Sequence, residues 1–131
     1  MSRIDKVVAE ARAGLARVTP EDAARRQADG AFLVDIRPHA FRAAEGEIPD
    51  AVIIERNVLE WRLDPESPHR IPEVSEESVV IVVCNEGEAS SLAARDLQGV
   101  GLPHATDLIG GYRAWRAAGL PTRQGGTPAI P

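Results

Sequence analysis

The chain holds one cysteine, Cys84, at the end of its most continuously apolar and β-branched segment, residues 79 to 83. After it come Asn85, Glu86, Gly87, Glu88, Ala89, Ser90 and Ser91. A thiol at the end of a buried strand, followed by a short glycine-bearing loop and then a helix, is placed as a nucleophile would be. If the helix starts near Ala89 or Ser90, the backbone from Asn85 to Ala89 must curl back over the sulfur. Gly87 permits the left-handed turn this needs, so several amide hydrogens of residues 85 to 90 can converge on one point. Those donors and the positive end of the helix favour a thiolate, and they would equally serve a persulfide, a phosphate or another oxyanion. Ser90 or Ser91 is placed to cap the helix and to offer a hydroxyl to the sulfur. The competing reading of Cys84 is a small buried hydrophobe, but a structural thiol needs no glycine loop behind it. For the serines the competing reading is capping alone.

The loop is acidic where an anion-binding loop would be basic. A carboxylate about 8 Å from the sulfur opposes a thiolate by roughly 0.5 kcal/mol in water-like dielectric, less than convergent amides supply. An anionic substrate is another matter, because its approach depends on the field at the mouth. A cysteine phosphatase needs an arginine six residues after the nucleophile to grip phosphoryl oxygens, and position 90 is serine. A nucleotide P-loop needs a lysine, and this loop has none. His39, His69 and His104 lack the spacing of a metal site, so neither a metal nor a cofactor is expected.

The elements that must position this loop alternate between strand and helix. Residues 31 to 36, 51 to 55, 79 to 83 and 105 to 109 read as strands, the third being central. Residues 2 to 17 form an amphipathic helix through Ile4, Val7, Val8, Ala11 and Leu15. Thr19, Pro20 and Asp22 start a second helix that runs to about Ala28 and stops at Gly30. Asn57 is placed to cap a short helix over VLEWR, and further helices cover SLAARDLQGVG and YRAWRAAG. Such alternation implies an α/β domain with a mainly parallel sheet, whose ligands sit beyond the carboxyl ends of the strands. Three polar groups fall there: Asp35 with Arg37, Glu55 with Arg56, and Cys84. Asp35 and Arg37 read as a structural pair tying loops together. Arg56 is a candidate to point at the mouth and supply a cation, against the plainer role of a solvated surface arginine. Trp61 and Trp115 read as core or rim packing, with Trp61 also able to wall a pocket.

The 131 residues fit one domain able to bury roughly two-thirds of its unfolded surface. The net charge of -5, mixed along the chain, gives no basic stripe to track phosphates, so nucleic acid is not an expected partner. The charged N-terminus is no signal peptide, and no apolar run is long enough for a membrane span. With a lone cysteine, the expected compartment is the reducing cytoplasm. Residues 1–18 form the N-terminal helical segment, 19–121 the domain, and 122–131 a tail that is frayed or laid across the surface.

Several segments together resemble a single-domain rhodanese: DIR (35 to 37), GEIPDA (46 to 51), NVLEW (57 to 61), CNEGEASSLAA (84 to 94) and LIGGYRAWRAAGLP (108 to 121). They run in family order from about residue 19 onward. The resemblance implies a rhodanese-like parallel sheet of about five strands with helices on both faces. It also implies a sulfurtransferase in which Cys84 takes sulfane sulfur from thiosulfate or a persulfide, holds it as a persulfide, and passes it to cyanide or a thiol, including that of a partner protein. The absence of an obvious general base fits, since a thiolate already formed needs no proton removed. Many catalytic rhodaneses carry Cys-x-x-Gly-x-Arg, whereas here the sixth loop residue is Ala89, and the frequent Gly-His-Ile-Pro-Gly-Ala appears with Glu47 and Asp50. Weak thiosulfate turnover is therefore expected, with a neutral or cationic persulfide or a partner protein as donor. The rival is a non-catalytic module that keeps the fold to bind a partner or sense persulfides.

Overall fold

Four short strands form one parallel sheet in a computed structural model that describes residues 1–131. They are β1 (Phe32–Asp35), β2 (Val52–Ile53), β3 (Val80–Val83) and β4 (Thr106–Asp107), in the spatial order β2-β1-β3-β4. Every residue of β3 is buried, as its unbroken apolar run requires, and Val82 stands between Val34 and Asp107 in register.

Six helices cover the sheet: α1 (Arg3–Ala13), α2 (Pro20–Ala28), α3 (His39–Glu45), α4 (Leu59–Leu63), α5 (Ala89–Gln98) and α6 (Gly111–Ala117). Because side chains alternate along a strand, Val80, Val82 and Cys84 join Val34, Ile36 and Ile54 on one face, under Leu59, Leu63, Ala93, Ala94 and Leu97 of α4 and α5. Leu33, Ile81 and Val83 face the other way, against Ala23 of α2 and Tyr112 and Trp115 of α6. Each large apolar side chain so buried contributes about 1.5–3 kcal/mol relative to exposure. The sulfur therefore lies on the α5 side of the sheet.

The expected sheet of about five strands is corrected to four. A fifth segment approaches β4 only through a single parallel bridge between Val18 and Leu108, where the Val18 amide bonds the Asp107 carbonyl and the Ile109 amide bonds that of Val18. Thr19 stops it from extending, because its hydroxyl accepts the Asp22 amide and opens α2. Asn57 also departs from expectation. Residues Arg56–Val58 form a 3-10 turn, and α4 starts at Leu59 without a side-chain cap.

The first helix opens on a capping box between Ser2 and Asp5, ends at Ala13 instead of reaching residue 17, and packs on α5 through Val8 and Ala11. The tail is laid down, not frayed. Arg123 pairs backbone to backbone with Glu47, the Ile130 amide bonds the Ile53 carbonyl beside β2, and Ile130 packs against the core.

Candidate active site

Cys84 follows β3 directly and is 7% exposed, at the floor of an open cleft of about 600 Å³. Its Sγ accepts hydrogen bonds from two main-chain amides, Gly87 at 3.2 Å and Ser90 at 3.4 Å. The expected ring of amides from 85 to 90 is thus narrowed to two, one in the turn and one in the first turn of α5. Asn85, Glu86, Glu88 and Ala89 line the cleft without donating to the sulfur. The Oδ1 of Asn85 is buried without a partner.

The loop keeps this shape because glycines on both sides let backbones approach. Gly87 has φ +83°, and a Cβ there would stand 2.7 Å from the Gly110 nitrogen. Gly111, at φ +63°, would drive a Cβ to 2.5 Å from the Cys84 carbonyl oxygen. That contact lets the first turn of α6 hold the loop, for the Tyr112 amide donates to the Cys84 carbonyl at 2.8 Å and the Arg113 amide to that of Asn85 at 3.1 Å. The Gly-Gly pair is therefore a docking surface for the cysteine loop as well as a bend.

Behind the loop lies a buried carboxylate. Asp107 on β4 accepts the hydroxyls of Ser90 and Ser91, each at 2.8 Å, and Arg17 through Nε at 2.8 Å and Nη2 at 3.2 Å. The serine hydroxyls consequently point away from the sulfur, which corrects the expectation that one of them would serve it; α5 has no side-chain N-cap. Ser90 acts at the sulfur through its amide alone.

The cations near the cleft are all paired. Arg37 is buried against Asp35 at 2.7 Å, bonds the Gly46 carbonyl at 2.8 Å, and stacks 4.1 Å from the centre of the Tyr112 ring. Arg56 lines the cleft, but its guanidinium is spanned by Glu60 at 2.7 Å and Asp96 at 2.6 Å. The acids of the loop are matched too, Glu86 by Arg113 at 2.5 Å and Glu88 by Arg12 at 3.6 Å. Burial raises the Tyr112 hydroxyl above its ordinary value against the pull of Arg37 and Arg116, so it stays protonated and donates to the Glu45 carbonyl. Trp61 is exposed and lines a separate cleft with Glu60, Asp64 and Glu66, so it does not wall the cysteine cleft.

A thiol at a strand end, two amides on its sulfur and a docked Gly-Gly helix start make a specific combination. The model of the rhodanese-like domain matches residues 19–118. The chain belongs to the rhodanese family. It is 33% identical over 101 residues to the thiosulfate sulfurtransferase GlpE of Pseudomonas syringae, covering 76% of this chain and 86% of that one. It is 32% identical over 106 residues to a sulfurtransferase of Allochromatium vinosum, covering 79% and 91%. A solved structure from Rhodopseudomonas palustris, a protein of unknown function described as a possible tyrosine phosphatase, superposes with a TM-score of 0.84 at 32% identity, over 94% of this chain and 96% of that one.

Within the rhodanese frame, the residues that sequence reasoning passed over are Asp107, Arg12 and Arg17. One signal was available: a carboxylate inside the apolar strand segment 105 to 109 must find a cation when buried. Its partner could not be named, because Arg17 is 90 residues distant in sequence.

Proposed function

We propose that this rhodanese is a sulfurtransferase that carries sulfane sulfur on Cys84. Sulfur transfer is the activity named for its Pseudomonas and Allochromatium relatives, and the observation that supports this reading most is the pair of Gly87 and Ser90 amides on Sγ at the floor of an open cleft. Two N–H donors in a partly dry site stabilise an anionic sulfur whether it is a thiolate or a persulfide. The thiolate attacks the sulfane sulfur of a donor, and a sulfur–sulfur bond forms as the donor's own bond breaks. The leaving group, sulfite or a thiolate, departs with the electron pair. A thiophilic acceptor, cyanide or a thiol, then attacks the outer sulfur and returns Cys84 to the thiolate.

The donor is read from the cleft wall. Arg37 and Arg56 both line it and both have their charge matched by carboxylates, while the one unpartnered guanidinium nitrogen, Arg37 Nη1, is buried, so a dianion such as thiosulfate finds no exposed unpaired cation. A neutral or cationic persulfide, or the persulfide of a partner protein, suits the site better. The phosphatase reading attached to the Rhodopseudomonas relative fits less well, because Ser90 stands where a phosphoryl-gripping arginine belongs. No helix is long and apolar enough to cross a membrane; the cytoplasm, where a lone thiol stays reduced, is the compartment we propose.

Incubation with thiosulfate and, separately, with a low-molecular-weight persulfide tests the reading. Intact-mass and peptide analysis should show Cys84 heavier by one sulfur atom, restored by cyanide, with Cys84→Ser inert. No sulfur on Cys84 from either donor would overturn the enzyme reading in favour of a binding module.

A further inference from the structure

We propose that Arg12 and Arg17 are positioning residues for Cys84, fixing the Gly87 turn so that its amide stays on the sulfur. The inference rests on Cys84 as the reacting atom. Both arginines lie in the N-terminal segment, outside the residues matched by the family model, 19–118.

The carbonyl oxygen of Gly87 accepts Arg12 Nη2 at 2.6 Å and Arg17 Nη2 at 3.0 Å, from 75 and 70 residues away. Two guanidiniums on one peptide oxygen occupy both of its lone pairs. Gly87 thus sits between two peptide groups with opposite tasks: its N–H bonds the sulfur at 3.2 Å, and its C=O is held by the arginines. Glycine has the widest backbone freedom of any residue, so the turn that aims the N–H is the one most in need of outside fixation. Each arginine is also anchored beyond the carbonyl. Arg12 Nε donates to Ser91 Oγ at 3.0 Å, and Arg17 pairs with the buried Asp107, which in turn holds Ser90 and Ser91. Ser90 gives the second amide to the sulfur, so one network steadies both donors. Val8 and Ala11 of α1 are buried without using either arginine, while Ile4 and Val7 stay exposed.

Arg12 is the better residue to change, since its side chain is 31% exposed, while Arg17 at 18% also neutralises Asp107. Full-length protein, wild type and Arg12→Ala, is compared by amide hydrogen exchange at Gly87 and Val82 and by single-turnover sulfur loading from a low-molecular-weight persulfide over a range of concentrations. We expect Arg12→Ala to speed exchange at Gly87 by about tenfold with Val82 unchanged, and to slow the loading rate constant by about tenfold at an unchanged half-saturating concentration, the scale of one lost charge-assisted hydrogen bond. Arg12→Lys should recover part of both, because a lysine can reach the Gly87 carbonyl but cannot hold Ser91 Oγ as well. If Arg12→Ala does not fold, Arg17→Lys carries the test, because a lysine keeps the charge beside Asp107 but cannot span Asp107 and Gly87 together. Exchange at Gly87 and loading both within twofold of wild type, even with a lowered melting temperature, would overturn the proposal, as would faster exchange with unchanged loading. Should the wild type take no sulfur from any donor, the sulfurtransferase reading fails, while the Gly87 exchange still decides whether the arginines hold the turn.

Discussion

Three carboxylates in this molecule are fully buried; Asp35 is paired with Arg37 alone, whereas Asp107 and Glu47 each sit in a cage of donors from several elements. Asp107 takes two hydroxyls and a bidentate guanidinium. Glu47 takes Arg42 at 2.8 Å, the Thr127 hydroxyl at 2.6 Å, the amides of Gly126 and Thr127 at 3.2 Å each, and Arg123 at 3.3 Å. The chemistry is alike, and the difference lies in what the donors belong to. Those around Asp107 come from the first turn of α5 and from an arginine that also grips the cysteine loop. Those around Glu47 come from α3 and the C-terminal tail. One cage fastens the reacting group and the other fastens the chain end. Breaking the first should alter chemistry and stability together, whereas breaking the second should alter stability alone.

The largest effect is expected at Glu47. Glu47→Gln leaves Arg42, which is fully buried, with only the partly exposed Glu55 at 3.3 Å as a charge partner, and should cost about 3–5 kcal/mol in denaturant unfolding. It should leave sulfur loading of the folded protein within twofold of wild type. The same variant separates the pH behaviour. Burial opposes the charge on Glu47, but the bonds from Thr127 and Arg42 outweigh it and hold its carboxyl below the ordinary value of 4.5. A carboxyl depressed on folding adds stability that is present above its unfolded value and lost as pH falls through its folded value. Wild-type stability should therefore decline with acid below about pH 4.5 more steeply than that of Glu47→Gln. Parallel acid limbs would mean that the tail cage carries no such linkage.

Asp107→Asn comes next, at about 2–3 kcal/mol, less than Glu47→Gln because the stranded Arg17 can reach solvent. Here loading must slow as well, since an amide cannot accept all the donors that hold Ser90, Ser91 and Arg17. A stability loss of this size with an unchanged loading rate would erase the distinction between the two cages.

The two cages also mark where sequence reasoning stopped. The position of Cys84, the glycine turn, the Thr19 cap and the alternation of strands and helices were legible because each depends on neighbours within a few residues. Val80, Val82 and Cys84 share a face through strand periodicity alone. Asp107, Glu47 and Arg42 were not legible as buried, because a charged residue reads as exposed until its partner is known, and the partners lie up to 90 residues away. Glu47 was noticed only as a departure from a motif. Whether the tail is frayed or laid across the surface stayed open for the same reason: Arg123 and Thr127 have no apolar period and are held by a carboxylate that sequence cannot place beside them. The serines went wrong more subtly, since their hydroxyls have an acceptor on β4 stronger than the sulfur.

The smallest expected effect on stability tests the front of the site. Ala89 is exposed, lines the cleft and opens α5. A guanidinium there touches neither cage, so Ala89→Arg should change the unfolding free energy by less than about 0.5 kcal/mol, the scale of an unfavourable charge at a helix start. Its effect on chemistry should depend on the donor's charge. One added cation about 8 Å from a dianion in water-like dielectric is worth roughly 1 kcal/mol, or about fivefold. Thiosulfate loading should rise by that factor at low salt and fall back as salt screens it, while loading from a neutral persulfide stays the same. Equal gains with both donors would show that the new side chain acts on the loop. No gain with thiosulfate would mean that the paired state of Arg37 and Arg56 is not what limits the dianion.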